Sequence, residues 1–249
     1  MTAWIAFRLI KFAGLVLFAG GVFGAIHSQT RARRLNLLYG LMVPGLTATC
    51  AGGWLLMKST ERSPSEPWIA AGLVAALLCL HGTFVSAHKT RASSVMPTLA
   101  VGGLIAAVGF MVARTASVPW LAGIGAMSLA AGALFAIPWS RDSEVGEDDQ
   151  ALVLDGFRWV ARAEGATLLF MLAVSIPLRV GAGIDLDGET EVIGWIHGVI
   201  FAVYLQSLSS TSRDLDWSWG AWVLAFLAAF LPAGTFIFEW RLDAITGRA

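Results

Sequence analysis

The chain has 249 residues, 57% of them hydrophobic and only 14% charged, with 17 basic residues balancing 17 acidic ones and a mean hydropathy of +0.70. Soluble domains carry about 25% charged residues, and zero net charge gives no electrostatic footprint for nucleic acid. What fits is an all-α, polytopic integral membrane bundle, since long unbroken apolar runs without strand-like alternation must satisfy their own backbone in lipid as helices.

The runs predict about eight transmembrane helices. The first spans Trp4 to His27 and reads as an uncleaved span, because its basic start and apolar stretch lack an A-x-A-like cleavage site. It turns over the basic link "SQTRARR" into a second helix, Leu35 to Met57. After the polar loop "KSTERSPSEP" come a third from Trp68 to His88, a fourth from Val95 to Ala113 and a fifth from Val118 to Trp139. Residues 140–151 form an acidic polar linker between an N-terminal membrane module, 1–139, and a C-terminal three-helix module, 152–249. The sixth helix begins near Leu152 and runs to Val180; the seventh covers Val192 to Ser210 and the eighth Trp219 to Phe238. Pro232 removes a backbone donor from the eighth and bends it. Small residues four apart, such as Gly20 and Gly24 or Gly103 and Ala107, suit close helix packing in lipid. Many of the eleven tryptophans lie near span ends, where indoles anchor at the interface. Cys50 and Cys79 fall on different helices and read as small buried hydrophobes.

A few polar side chains stand inside the runs. Glu164 lies in the first third of "RWVARAEGATLLFMLAVSIPLRV". At about 100° per turn step, Arg162 and Arg158 lie roughly 200° and 240° round the helix from it, so it lacks a partner on its own helix. It must face another helix, reach water or be protonated, and ionisable groups in a span are functional candidates. By depth, either Tyr204 or Gln206 on helix seven is the expected donor to it, one and not both, since they lie about 200° apart round their helix. His197, nearer the opposite surface at the level of Thr235, shares an inward face with Gly194, Phe201 and Tyr204. Arg179, His197 and Glu239 fall toward one surface as a small polar cluster.

The motifs "RAEGATLLFMLAVSIPLR", "GWIHGVIFAVYL" and "LPAGTFIFEWRL", in this order, resemble the bacterial membrane family known as domain of unknown function 3817 over about residues 152–242. The matching positions are Glu164, Gly165, Thr167, Pro177, Leu178 and Arg179, then Gly194, His197 and Gly198, then Pro232, Gly234, Thr235 and Phe236. The resemblance implies a small three-helix membrane module and brings no activity with it. The first half more loosely resembles four-helix copper-resistance-type membrane domains, although Phe12, Ala13 and Gly14 follow Lys11 where such proteins often carry a histidine.

These residues suggest a non-enzymatic accessory, assembly or structural subunit of the bacterial inner membrane, working through the lipid bilayer and other membrane subunits and not through nucleic acid. No Walker loop, zincin helix, nucleophile elbow or dinucleotide fingerprint is present. One alternative is a small-solute or proton-coupled carrier using Glu164. Another is a redox bundle holding haem b or a metal between His27 and His81 or His88, for which two neutral imidazoles on facing helices would serve. The expectation is no cofactor and no metal centre.

Overall fold

The computed structural model describes residues 2–28, 30–88, 95–113, 117–135, 147–177 and 187–246. Every regular element among them is helical. Helix α1 spans Thr2–His27 and α2 Arg31–Leu37; a π-helical turn over Leu38–Met42 then leads into α3, Val43–Ser59. Helices α4 (Pro67–His88), α5 (Val95–Val112) and α6 (Val118–Phe135) complete the N-terminal half. Helix α7 covers Glu147–Phe170 and passes into a second π-helical turn, Met171–Ser175. Helix α8 is Asp187–Asp214, followed by α9 (Trp219–Ala228), α10 (Gly234–Trp240) and α11 (Leu242–Thr246).

Among the described residues five segments are long and apolar enough to cross a membrane: Ala3–His27, Arg31–Ser59, Pro67–His88, Val95–Val112 and Ile193–Asp214. Val118–Leu134 and Trp219–Ala228 are shorter apolar helices. The all-α membrane bundle is thus the architecture, with three of the eight expected spans differing in detail. Helix α7 begins five residues earlier than the apolar pattern suggested, and its first two-thirds bear Asp155, Arg158 and Arg162. Trp139, at the expected end of the fifth helix, lies outside the described residues, as does most of the acidic linker.

The expected eighth helix is broken, not bent. After Ala228 the chain makes a turn through Pro232, and Ala233 adopts a left-handed conformation at φ 59° before α10 starts. Proline lacks the N–H that would continue the ladder, and the amide of Gly234 instead closes the turn on the Leu231 carbonyl at 2.8 Å.

In lipid, apolar area alone gives helices no reason to associate, so close backbone approach carries the packing. The α1–α3 seam shows how. A Cβ placed on Gly45 would strike the backbone of Phe18, one on Gly14 would lie 2.6 Å from the Thr49 amide, and one on Gly52 would lie 2.7 Å from the Lys11 amide. Gly21 likewise touches the backbone of Met42. The seam therefore runs through glycines seven apart on both helices. Of the pair read from sequence, Gly24 packs on the Leu37 side chain while Gly20 faces open space. Gly103 does pack closely: a Cβ there would lie 2.6 Å from the Ala75 carbonyl oxygen.

One core runs through both halves of the chain, from Phe18 and Ile26 of α1 through Phe84 of α4 to Phe157 of α7, Leu208 of α8 and Phe238 of α10. Helix α8 holds the halves together, packing on α3 and α4 on one side and on α7 and α9 on the other. Its C-terminal end brings Asp214 to the same end of the bundle as the start of α2 and the end of α4.

Candidate functional site

The link "SQTRARR" is largely helix. Thr30 caps it, its hydroxyl accepting from the Arg33 amide at 3.4 Å, so the helix begins at Arg31. The basic link is not merely a turn: Arg31 and Arg34 are both buried, and Arg34 is the largest fully buried side chain described. A buried guanidinium needs partners. Arg34 Nε donates to the Ala87 carbonyl at 3.3 Å, meeting the negative end of the α4 dipole. Arg31 forms an ion pair with Asp214 at the end of α8.

Asp214 also accepts from His88 Nδ1 at 2.6 Å. The other ring nitrogen of His88 faces the Tyr39 hydroxyl at 3.4 Å, and that hydroxyl is 3.0 Å from Ser207 Oγ. His88 stacks on Phe84, and Tyr39 meets the same ring edge-on. Tyr39 is placed by the π-helical turn, whose wider coil carries side chains off the ordinary helical faces. A chain of polar groups, Arg31–Asp214–His88–Tyr39–Ser207, thereby joins α2, α4 and α8.

Sequence reasoning took His88 for a haem candidate and the arginines for part of a basic link, and missed this cluster. The only available cue was the presence of an aspartate at the end of an apolar helix. Asp214 lies on one nitrogen of His88 and the Tyr39 hydroxyl faces the other. His81 Nδ1 is 3.0 Å from Gln206 Oε1, and His27 Nδ1 is 3.0 Å from the Phe23 carbonyl. Among the described residues no three His, Cys, Asp or Glu side chains come together as a metal site.

The second polar region surrounds Glu164, which is wholly buried on α7. Neither carboxylate oxygen has a hydrogen-bond partner; the Thr235 hydroxyl faces the group without reaching bonding geometry. Gly165 makes this approach possible, since a Cβ there would collide with Thr235 Oγ1 and lie 2.7 Å from the Phe236 ring. The two candidate donors for Glu164 are engaged elsewhere. Tyr204 donates to the Ala225 carbonyl at 2.7 Å, and Gln206 is turned to His81.

Thr235 and His197 both meet α7 within one turn, Thr235 at Gly165 and His197 at Thr167. His197 Nδ1 lies 3.2 Å from Thr167 Oγ1, whose hydroxyl donates to the Glu164 backbone carbonyl at 2.9 Å. Glu239 pairs with Arg162, Nε lying 2.9 Å from both carboxylate oxygens. Arg179 lies outside the described residues, and Glu239 has found its cation on α7. Glu164, Thr167, His197 and Thr235 thus form a linked group, while Tyr204, Gln206 and Glu239 serve other contacts.

These residues fall within the part of the chain that has relatives. Residues 154–244 match the model of a domain of unknown function, DUF3817. The uncharacterized membrane protein YdzA of Bacillus subtilis (strain 168) is 35% identical over 78 residues, which make up 30% of this chain and 77% of YdzA. The chain belongs to the DUF3817 family. Its DUF3817 segment includes α8 and therefore Ser207 and Asp214, whereas Arg31, Tyr39 and His88 come from helices outside the match. No solved structure matches the chain.

Proposed function

We propose that this integral membrane protein is a non-enzymatic accessory or assembly subunit of the bacterial cytoplasmic membrane, acting through other membrane proteins. One observation carries the reading: Asp214, inside the family segment, receives Arg31 and His88 from two helices outside it. The family module is used here as a surface on which other membrane helices dock. Its alignment covers most of YdzA, so the module also occurs with little else attached. A unit that stands nearly alone in one protein and holds a second helical group in another suits a helix-docking role. The division into an N-terminal module and a C-terminal one joined by an acidic linker is part of this proposal.

The test is crosslinking in native membranes followed by purification of the full chain. A partner membrane protein at fixed stoichiometry is expected, and its loss in Asp214→Ala would tie it to the docking junction. Recovery of the protein alone, with every crosslink internal, overturns the reading.

A second reading is favoured by the Glu164 oxygens, which are buried without hydrogen-bond partners. A carboxyl group in such a place is suited to exchanging a proton, with Thr167 and His197 close by. A proton-coupled carrier predicts proton flux in proteoliposomes that Glu164→Gln abolishes. Flux equal to that of empty vesicles excludes it.

A further inference from the structure

Three oxygen atoms from two helices face one another in the interior without a hydrogen-bond partner: Glu164 Oε1 and Oε2 on α7 and Thr235 Oγ1 on α10. Glu164 is 0% exposed and Thr235 1%. Buried polar groups are ordinarily satisfied, and an exception calls for a missing partner.

The partner is not supplied by the side chains around them. Tyr204 donates to the Ala225 carbonyl, and Thr167 gives its proton to the Glu164 backbone carbonyl. Arg162, two residues from Glu164, is turned to Glu239. What the three oxygens lack is positive charge. An organic cation does not fit, because Thr235 and the Phe236 ring already fill the space that a Cβ at Gly165 would take. A bare ion fits, and hard cations take oxygen ligands. One carboxylate balances a single positive charge, whereas a divalent ion would leave a charge uncompensated in the interior.

The local backbone suits such an ion as well. Helices broken within a membrane free carbonyl oxygens that coordinate sodium. The chain is broken between Ala228 and Gly234, immediately before Thr235. In that turn the carbonyl of Ala229, itself buried, accepts no backbone amide from the described residues.

We infer that Glu164 and Thr235 hold a sodium ion, bound without water by both carboxylate oxygens and the threonine hydroxyl oxygen. A proton on the carboxyl serves as donor to one acceptor, while a sodium ion touches all three oxygens at once. The site rests on the reading of Glu164 as an ion-handling group, but binding needs no gradient. Sodium binding without proton flux keeps the site and sinks the proton carrier; flux without sodium binding does the reverse.

Radioactive sodium, titrated onto the purified full chain in a maltoside detergent with choline chloride holding ionic strength constant, is the test. Saturable binding of one sodium per chain is expected, with a rise in melting temperature as sodium replaces choline. Glu164→Gln should abolish both. Thr235→Val should weaken binding by about tenfold and Thr235→Ser, which keeps the oxygen, should restore it. Thermal unfolding shows which variants are folded, and the two Thr235 variants carry the test should Glu164→Gln fail to fold. Potassium should compete at least about tenfold more weakly than lithium. No saturable binding by the parent, or full binding by folded Glu164→Gln, overturns the site. Unchanged binding in Thr235→Val overturns the threonine ligand, and tighter competition by calcium overturns the choice of a monovalent ion.

Discussion

The ring of Tyr39 lies directly against the α-carbon of Gly156, in the place a Cβ would occupy: such an atom would overlap Cε2 and stand 2.7 Å from Cζ. The ring cannot easily yield, because its hydroxyl is held between Ser207 and His88 and its edge rests on Phe84. Gly156→Ala is expected to cost about 1–3 kcal/mol through overpacking. In a Tyr39→Ala background, which is itself destabilised by loss of the ring, the further cost of Gly156→Ala in thermal stability should largely vanish. A single variant as stable as the parent would show that the contact is loose.

Breaking the ion pair should cost more. Asp214→Asn leaves the Arg31 guanidinium buried without its counter-charge, and removing one partner of a buried pair costs about 3–5 kcal/mol. Asp214 is partly accessible, so the lower end is expected. The double variant Arg31→Met with Asp214→Leu should unfold at a higher temperature than Asp214→Asn alone, because no orphaned charge remains. Equal melting of the two would mean that the pair is worth little.

Glycines of α1 and α3 differ sharply in what they tolerate. Gly45→Ala drives a methyl group into the Phe18 backbone, which cannot move aside, and is expected to destabilise by about 1–3 kcal/mol. Gly20→Ala meets nothing within 4 Å and should stabilise by up to about 1 kcal/mol through helix propensity. Melting temperatures of the two variants therefore move in opposite directions.

At the break after α9, Ala233 holds a positive φ that L-residues adopt at a cost of about 1–2 kcal/mol. Ala233→Gly removes that cost and adds some freedom to the unfolded chain, for a net gain of roughly 0.5–1 kcal/mol. Ala233→Val should lose stability by a comparable amount, and both are read from thermal unfolding.

Outside the membrane, Glu66 precedes α4 and accepts from the Trp68 indole, from Arg62 and from the Ser63 amide. The Trp68 bond first, and then Arg62, hold its carboxyl below the ordinary glutamate range. A carboxylate whose folded value is depressed adds stability above its unfolded value and loses it as pH falls through the folded one. Glu66→Gln should therefore melt below the parent at neutral pH, with the gap closing in the acid range. A gap unchanged between neutral and acid pH would rule out the carboxylate as its source.

The sequence showed the helices and the membrane because long apolar runs are local facts. It also showed that Glu164 has no partner on its own helix, since angular spacing decides that. What it concealed were meetings between distant segments. Arg31 and Arg34 looked like link charges because the counter-charge of Arg31 is Asp214, and the carbonyl that takes Arg34 belongs to Ala87. The eighth helix was read as bent and not broken because a proline can bend a helix or end it, and only tertiary packing chooses. Glu239 was grouped with Arg179 by depth, while Arg162 was discounted because it could not reach Glu164; the same angle aims it at Glu239.

The Arg31–Asp214 pair also sets an order of events during synthesis. The ribosome delivers Arg31 early, and the acid that neutralises it emerges 183 residues later. Until then α2 carries a cation with no mate, so the nascent N-terminal helices stay open to insertion machinery or to quality-control proteases. Arrival of the end of α8 closes that interval, and fragments truncated before residue 214 would be cleared from the cell faster than the finished chain.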